Sequence, residues 1–377
     1  MGIIGNANTV IGFSGDKMGN LYLAALQMVS GIGSARLTSL LSFFGSAQQA
    51  WQASRRDLFL SGCLDEATYN NLLIHRDKID IYTLAIQWEK QGIHMCSVDD
   101  AEYPQLLLNT FHVPYLLYYR GTLPPGDNCI AMVGARRATP YGKNIAHLLA
   151  SQLADAGVWV VSGAARGIDT AAHQGALTTG YTLAVLGCGV DVSYPSENKK
   201  LLNQIAECGG IISEYPPGTL AHPGYFPARN RIISGLSRGV VVVEAAERSG
   251  SLITADFALE EGRDVFAVPG NIFSESSKGT HRLIKQGAKL IDSTADIIEE
   301  YQGEFTQKQP VILGLSADEE AVYKVLSYDN PIGMEDIITR VNLESTMVTY
   351  ILLQLELRGL AIEQSGKRYL RIAQEGI

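Results

Sequence analysis

The sequence predicts an α/β protein: a doubly wound, extended Rossmann-like parallel sheet, flanked by a small N-terminal helical segment and a C-terminal winged-helix-like module. Three observations predict it. Between residues 129 and 291, short apolar runs rich in β-branched residues alternate with helix-length stretches, the pattern of strands buried on both faces. Residues 1–92 place apolar side chains at helical spacing, and residues 315–377 end in three helical patterns and a hairpin.

Taken in order, "NLYLAALQMVS", "SARLTSLLSFFGS", "SAQQAWQAS" and "IDIYTLAIQWEKQG" make residues 1–92 a helical domain. Between the first two, "VSGIGSAR" (29–36) is a glycine-hinged turn like that of a helix-hairpin-helix, where a helix N-terminus meets a phosphate. Only Arg36 supplies charge there, so a plain tight turn is the competing reading.

Residues 93–300 carry the sheet, with strands at "CIAMV" (129–133), "VWVVS" (158–162), "TLAVL" (182–186), "GIISE" (210–214), "GVVVVE" (239–244), "DVFAV" (264–268) and "KLI" (289–291). Residues 301–314, polar and proline-containing, read as a linker. Beyond it, "SADEEAVYKVLS", "GMEDIITRV", "ESTMVTYILLQLELRG" and the hairpin "LAIEQSGKRYLRI" give a winged-helix layout. Such modules commonly enter DNA grooves. This third helix offers Glu344, Glu356 and Arg358 on an acidic segment, so protein contact is the better expectation.

The chain is 377 residues long, 46% hydrophobic and 18% charged, which suits two or three globular domains and excludes a disordered chain. Net charge is −9, distributed as −3 over residues 1–119, +1 over 120–292 and −7 over 293–377. A polyanion site therefore belongs in the middle segment. The five cysteines (63, 96, 129, 188 and 208) form no CxxC pair and lack a histidine at zinc-ligand spacing, so reduced thiols are expected. Without an apparent signal peptide or a long apolar span, the expectation is a cytoplasmic protein without membrane contact.

Ligands of doubly wound sheets sit beyond the carboxyl ends of the strands. The loops there are "GARRATPYG" (134–142), "SGAARGIDTAAHQGAL" (162–177), "GCGVDVSYPSENKKL" (187–201) and "ERSGSLITADFAL" (247–259), with "YFPARNR" (225–231) ahead of the fifth strand. Any one glycine-rich joint serves strand–helix geometry; several on one edge, bearing arginines and hydroxyls, point to an anion. The dinucleotide fingerprint is not met after the first strand, and GxxxxGK[ST], GxSxG and HExxH are absent, so no cofactor is expected. Candidate catalytic groups are Asp169, His173, Asp191, Glu214 and Glu244. Asp169 and His173, at i and i+4, either pair or leave Asp169 as a helix-start capping group.

Read in series, "VGARRATPYG", "VSGAARGIDTAAHQGAL", "TLAVLGCGVDVSYPSENKKL", "ISEYPPG", "FPARNRIISGLSRGVVVVEAAERSGSLITADFALEEGRDVFAVPG" and "GTHRLIKQGAKLI" resemble the DNA-processing protein A family (DprA, also called Smf). The resemblance covers about residues 129–291, and the helical N-terminus (SAM-like or helix-hairpin-helix-like) and small C-terminal module are similar to the layout of many members. It implies binding and protection of single-stranded DNA, loading of the RecA recombinase during natural transformation, and no catalysed reaction. It also implies a homodimer through the Rossmann-like domain, for which "GTHRLIKQGAKLI" is the expected face.

The matched residues are Arg136 in the VGxR motif and Arg229, Asn230 and Arg231 in the FPxRN element. With Arg166 they are expected to clamp phosphates, which arginine does through two forked hydrogen bonds. Phe226 is expected to stack on a base, and Gly163, Ser249, Gly250 and Ser251 to donate to further phosphates. The blander reading puts Phe226 in the core and pairs Arg229 with Glu244. An enzyme alternative comes from nucleoside-monophosphate phosphoribohydrolases, whose PGGxGTxxE motif aligns with SGSLIT and puts Thr254 at the glutamate position, against hydrolysis. A third class is an interaction scaffold acting through the acidic C-terminal module.

Overall fold

A computed structural model describes residues 15–301, 315–341 and 343–372. Among them, six helices come first: α1 (Gly15–Gln27), α2 (Ser34–Phe44), α3 (Ala47–Gln52), α4 (Arg55–Leu60), α5 (Glu66–Lys78) and α6 (Ile81–Lys90). Small polar residues start four of them. Ser46, Ser54, Asp65 and Asp80 each accept a hydrogen bond from a main-chain N–H of the first turn, which satisfies an otherwise orphaned donor. Apolar spacing finds α1, α2, α3 and α6. It misses α4, which is short, and α5, which is largely polar and buries only Thr68 and Leu72. In the "VSGIGSAR" turn, Gly31 takes a left-handed φ of 99°, and Arg36 donates to the Gly31 carbonyl (2.6 Å) and pairs with Asp65. The one nearby cation is thus engaged within the fold.

The helices pack against one edge of the sheet. That edge consists of β1 (His94–Ser97), the short α7 (Gln105–Leu108) and β2 (Leu116–Gly121). Trp88 meets Tyr118 of β2 edge-on at 5.8 Å, and the buried Tyr118 hydroxyl donates to Gln27.

The doubly wound part follows as β3 (Cys129–Val133), α8 (Pro140–Asp155), β4 (Trp159–Ser162), α9 (Ile168–Thr179), β5 (Thr182–Val185), α10 (Lys199–Cys208) and β6 (Gly210–Ser213). It continues through α11 (Tyr225–Gly235), β7 (Gly239–Val242), α12 (Gly250–Glu260), β8 (Asp264–Ala267), α13 (Lys278–Lys285), β9 (Lys289–Leu290) and α14 (Ala295–Glu300). The seven strands β3–β9 fall where the apolar runs predict them. Among the described residues the sheet order is β1-β2-β6-β5-β4-β3-β7-β8-β9, parallel from β6 to β9, with β1 and β2 antiparallel at the edge.

Alternation along β3 shows why the runs are continuously apolar. Ile130 and Met132 pack with α8 and α9 on one face, whereas Ala131 and Val133 pack with α11 and α12 on the other. The chain winds away from β3 in both directions, to β4 on one side and β7 on the other. That reversal opens a crevice at the carboxyl ends of β3 and β7.

The C-terminal module comprises α15 (Ala317–Val325), β10 (Ile332–Gly333), α16 (Met334–Val341), α17 (Ser345–Leu357), β11 (Ala361–Gln364) and β12 (Arg368–Arg371). Its three helices and three-stranded sheet enclose Val322, Tyr323, Ile337, Val348, Ile351 and Leu355, a winged helix. A capping box between Ser316 and Glu319 starts α15. Except for Tyr301, the linker expected at 301–314 lies outside the described residues.

Candidate functional site

A cavity of about 560 Å³ opens at the β3–β7 crevice, within the size range of ligand sites. The loops after β3, β4, β5, β6 and β7, with the helices α9, α11 and α12, build it. After β3, Gly134 must be glycine, because a Cβ there would lie 2.6 Å from Ile168 Cγ1 and 2.9 Å from the Glu244 carbonyl oxygen. Ala135 N–H donates to that same carbonyl (2.7 Å), and the buried Glu244 carboxylate accepts from Thr139 N–H (2.9 Å) and Thr139 Oγ1 (2.5 Å). Glu244 is therefore a tie between two loops, and its partner is Thr139 rather than Arg229. The loop so fixed presents Arg136 at the exposed rim.

Helix α11 forms the opposite wall. Phe226, Arg229, Asn230 and Ile233 lie at i, i+3, i+4 and i+7, one face of a helix, and all four line the cavity. Phe226 is half-buried at the mouth. Its ring stacks on Tyr194 with centroids 5.0 Å apart, and the Arg136 guanidinium carbon lies 5.5 Å from its centroid. Phe226 therefore faces the cavity and is not a core residue. Tyr194, which the sequence reading did not single out, is part of the same aromatic cluster.

Arg229 is nearly sealed, at 4% exposure. Its Nη1 donates to the Gly163 carbonyl (2.9 Å) and to the Val185 carbonyl, binding α11 to the ends of β4 and β5. Burial lowers its pKa to about 10, with the Asp169 carboxylate opposing the shift, so it stays charged at neutral pH. Asp169, in the first turn of α9, accepts from Ala165 N–H (3.2 Å), while burial raises its pKa against the pull of Arg229. It ties the loop between β4 and α9 and neither caps that helix nor pairs with His173, whose Nδ1 sits 2.7 Å from Thr182 Oγ1.

The turn after β7 completes the mouth. Ser249 caps α12 by accepting from Ser251 N–H (3.4 Å), and the two hydroxyls are 2.8 Å apart. Gly250, at the first position of the helix, faces open space: nothing lies within 4 Å of where its Cβ would be. The positive dipole end of an 11-residue helix thus meets the cavity at Gly250 with no side chain of that residue in the way, the Ser251 and Leu252 N–H groups being bonded to Ser249. Thr254 and Ile253 of the same helix add to the lining.

Seven of the sequence-predicted residues converge here: Arg136, Phe226, Arg229, Asn230, Ser249, Gly250 and Ser251. Three do not line the cavity. Gly163 lies behind it, where a Cβ would be 2.5 Å from Arg229 Nη2 and 2.8 Å from Asp169 Oδ2. Arg166 is exposed and pairs with Glu197. Arg231 turns to the far side of α11, where it pairs with Glu214 and donates to the His112 carbonyl (2.7 Å). The remaining candidate acid, Asp191, accepts from Gly218 N–H (2.8 Å).

Comparison with known proteins bears on this geometry. The family model described as DNA recombination-mediator protein A matches residues 94–302, and that of the DprA winged helix domain matches residues 306–367. Protein Smf of Synechocystis is 32% identical over 93% of this chain and 98% of its own length. The crystal structure of DNA processing protein A from Streptococcus pneumoniae superposes with a TM-score of 0.64 at 38% identity, over 77% of this chain and 99% of that one. DNA processing protein A from Helicobacter pylori, whose structure is described for its single-stranded DNA binding mode, gives a TM-score of 0.50 at 30% identity, over 56% of this chain and 98% of that one.

Proposed function

The chain belongs to the DNA recombination-mediator protein A family, and from that premise we propose that the β3–β7 cavity binds single-stranded DNA. The observation that carries this reading is the convergence of Arg136, the Phe226–Tyr194 ring pair and the open Gly250 helix end on one mouth. Phe226 offers its ring to a base, a contact indifferent to sequence. Arg136, beside that ring, holds the adjoining phosphate through its fork. Asn230, Ser251 and the Gly250 end of α12 hold the backbone on the other side. Arg229 shapes the wall from behind, with Gly163 leaving room for it. Arg231 and Arg166 stabilise the surrounding loops through their carboxylate partners.

The role is binding rather than catalysis. Glu244, Asp169, Glu214 and Asp191 each already serve a main-chain or side-chain donor, and Thr254 stands where a hydrolase of related motif carries glutamate. The family's description as a recombination mediator supports the further step that the bound strand is handed to the RecA recombinase. A homodimer through the Rossmann-like domain is supported by the exposed apolar residues Ile272, Phe273 and Leu290 around α13. No helix among the described residues is long and apolar enough to cross a membrane.

Photo-crosslinking with an oligonucleotide carrying 5-bromodeoxyuridine tests the location. Adducts on the peptides containing Tyr194 and Phe226 are expected. Adducts confined to residues 315–377 would overturn the assignment.

A further inference from the structure

The rim of the cavity carries a second ring stack. Tyr225 and Phe226 are consecutive at the start of α11, so their side chains diverge by about 100°. Phe226 leans on Tyr194 from the loop after β5. Tyr225 stacks instead on Tyr215 from the loop after β6, with centroids 4.2 Å apart and ring planes 24° from parallel. The exposed His222 ring stands 5.2 Å from Tyr225, and its neighbour Pro223 already lines the cavity. Neither tyrosine hydroxyl has a hydrogen-bond partner among the described residues, and neither is sealed from solvent. Both rings are thus half-buried with their polar ends in water, the disposition of an interface tyrosine rather than of a core one.

We propose that the Tyr215–Tyr225–His222 stack is a second nucleobase subsite, continuous with the mouth; the inference rests on the single-stranded DNA reading given above. The sheet order supplies the path. Strands β6, β5, β4, β3 and β7 are parallel neighbours in that order, so their carboxyl-end loops share one edge. Along that edge come Tyr215, Tyr194, Arg136 and Gly250 in turn. The row spans four interstrand spacings, about 19 Å. At about 3.4 Å per nucleotide of a stacked strand, that is room for roughly six nucleotides. A DNA strand laid along it meets the phosphate-holding groups at β7 and β3, then one ring pair at β5 and another at β6.

The chemistry at the β6 end suits a base and not a phosphate. The cations beside Tyr215 are Arg231, which is paired with Glu214, and Arg229, which is sealed. The Asp191 carboxylate holds the Gly218 N–H of the same loop (2.8 Å). A phosphate finds no unpaired cation there, whereas a ring face stacks on a base without one. The platform is also built before any ligand arrives. Tyr215 N–H donates to Ser213 Oγ (3.0 Å), Tyr225 N–H to the His222 carbonyl (2.9 Å) and Gly189 N–H to the Thr219 carbonyl (2.9 Å). Rings fixed in this way lose little freedom when a base settles on them.

The test measures the affinity of the full chain for an oligothymidylate long enough to fill the row, over a range of salt. Tyr225→Leu should weaken binding by about 5-fold or more, the loss of one stacked base, with the salt slope of the wild type. Tyr225→Phe keeps the ring and should bind as the wild type does. Combining Tyr225→Leu with Phe226→Leu should multiply the two losses, because the rings hold different bases. Wild-type affinity in Tyr225→Leu beside a weakened Phe226→Leu would overturn the second subsite and leave the mouth standing. So would a double variant no weaker than Phe226→Leu, a shallower salt slope in Tyr225→Leu, or an equal loss in Tyr225→Phe. Wild-type affinity in Phe226→Leu beside a weakened Tyr225→Leu would instead overturn the reading of the mouth. Should Tyr225→Leu lower the urea midpoint, the exposed His222→Ala decides: a several-fold loss is expected, and wild-type affinity would overturn the proposal.

Discussion

Arg229 donates to the carbonyl oxygen of Gly163 across 2.9 Å, from a position almost closed to solvent. The arginine most suggestive of a phosphate clamp in the sequence is thus the bolt that holds α11 to the ends of β4 and β5. Removing it takes from the buried Asp169 its strongest cationic neighbour and leaves only the rim Arg136. Arg229→Ala is predicted to cost about 3–5 kcal/mol of stability, as breaking a buried charge pair does. Arg229→Lys should recover little of that, since a single ammonium cannot replace both Nη1, which serves two carbonyls, and Nε, which faces Asn230 Oδ1 (3.4 Å). Urea denaturation checks both; a midpoint unchanged in Arg229→Ala would contradict the structural role.

Two glycines of the same mouth should respond oppositely. Gly163→Ala forces a methyl against Arg229 and Asp169, so stability should fall by roughly 1–3 kcal/mol, as overpacking does. Gly250→Ala meets nothing and removes a poor helix former, so stability should hold or rise by up to about 1 kcal/mol. Its affinity for oligothymidylate should nevertheless drop, because the methyl stands where the backbone approaches the ligand. Equal affinity in Gly250→Ala would remove the α12 terminus from the binding site.

Arg231 and Arg136 should separate in a salt titration. Arg231 pairs with the half-buried Glu214, whose own pKa is raised by burial against the pull of that arginine. Arg231→Gln is expected to reduce stability while the dependence of log affinity on log salt stays as in the wild type. A shallower slope in Arg231→Gln would place this residue on the DNA after all.

The fold itself should carry an acid-sensitive element. His173 is fully buried, and burial, aided by Arg229, lowers its pKa to about 3. An unfolded chain has a histidine pKa of about 6.5. Because the folded value is depressed, the unfolded state takes up the proton first as pH falls. The residue's contribution is therefore whole above about pH 6.5 and is lost between there and pH 3, at up to about 1.4 kcal/mol per pH unit. The stability gap between wild type and His173→Gln should narrow by about 2 kcal/mol from pH 7 to pH 5 in urea titrations. A constant gap would show that His173 titrates in the folded state.

What the sequence disclosed followed from burial. The strands β3 to β7 are enclosed along their whole length, so their composition announces them. The edge strand β1 and its neighbour β2 escaped because "HMCS" and "LLYYRG" mix buried and partly exposed positions in an antiparallel pair. The Arg-Asn-Arg cluster is divided by helix geometry. On a helix, residues two apart lie about 160° from each other, so Arg229 turns inward to the Gly163 carbonyl and Arg231 outward to Glu214. Tyr194 stayed hidden because its partner Phe226 is brought to it only by the fold.

The β3–β7 mouth is the single-stranded DNA site proposed above. Fluorescence anisotropy of labelled oligothymidylate over a range of salt, on wild type, Phe226→Leu and Arg136→Gln, tests it most directly. Loss of the stacking ring should weaken binding by about 1–3 kcal/mol. Loss of one phosphate contact should make the salt slope shallower by about 0.7. Both variants should unfold near the wild-type urea midpoint. Wild-type affinity and slope in both, with folding intact, would place the DNA elsewhere on the molecule.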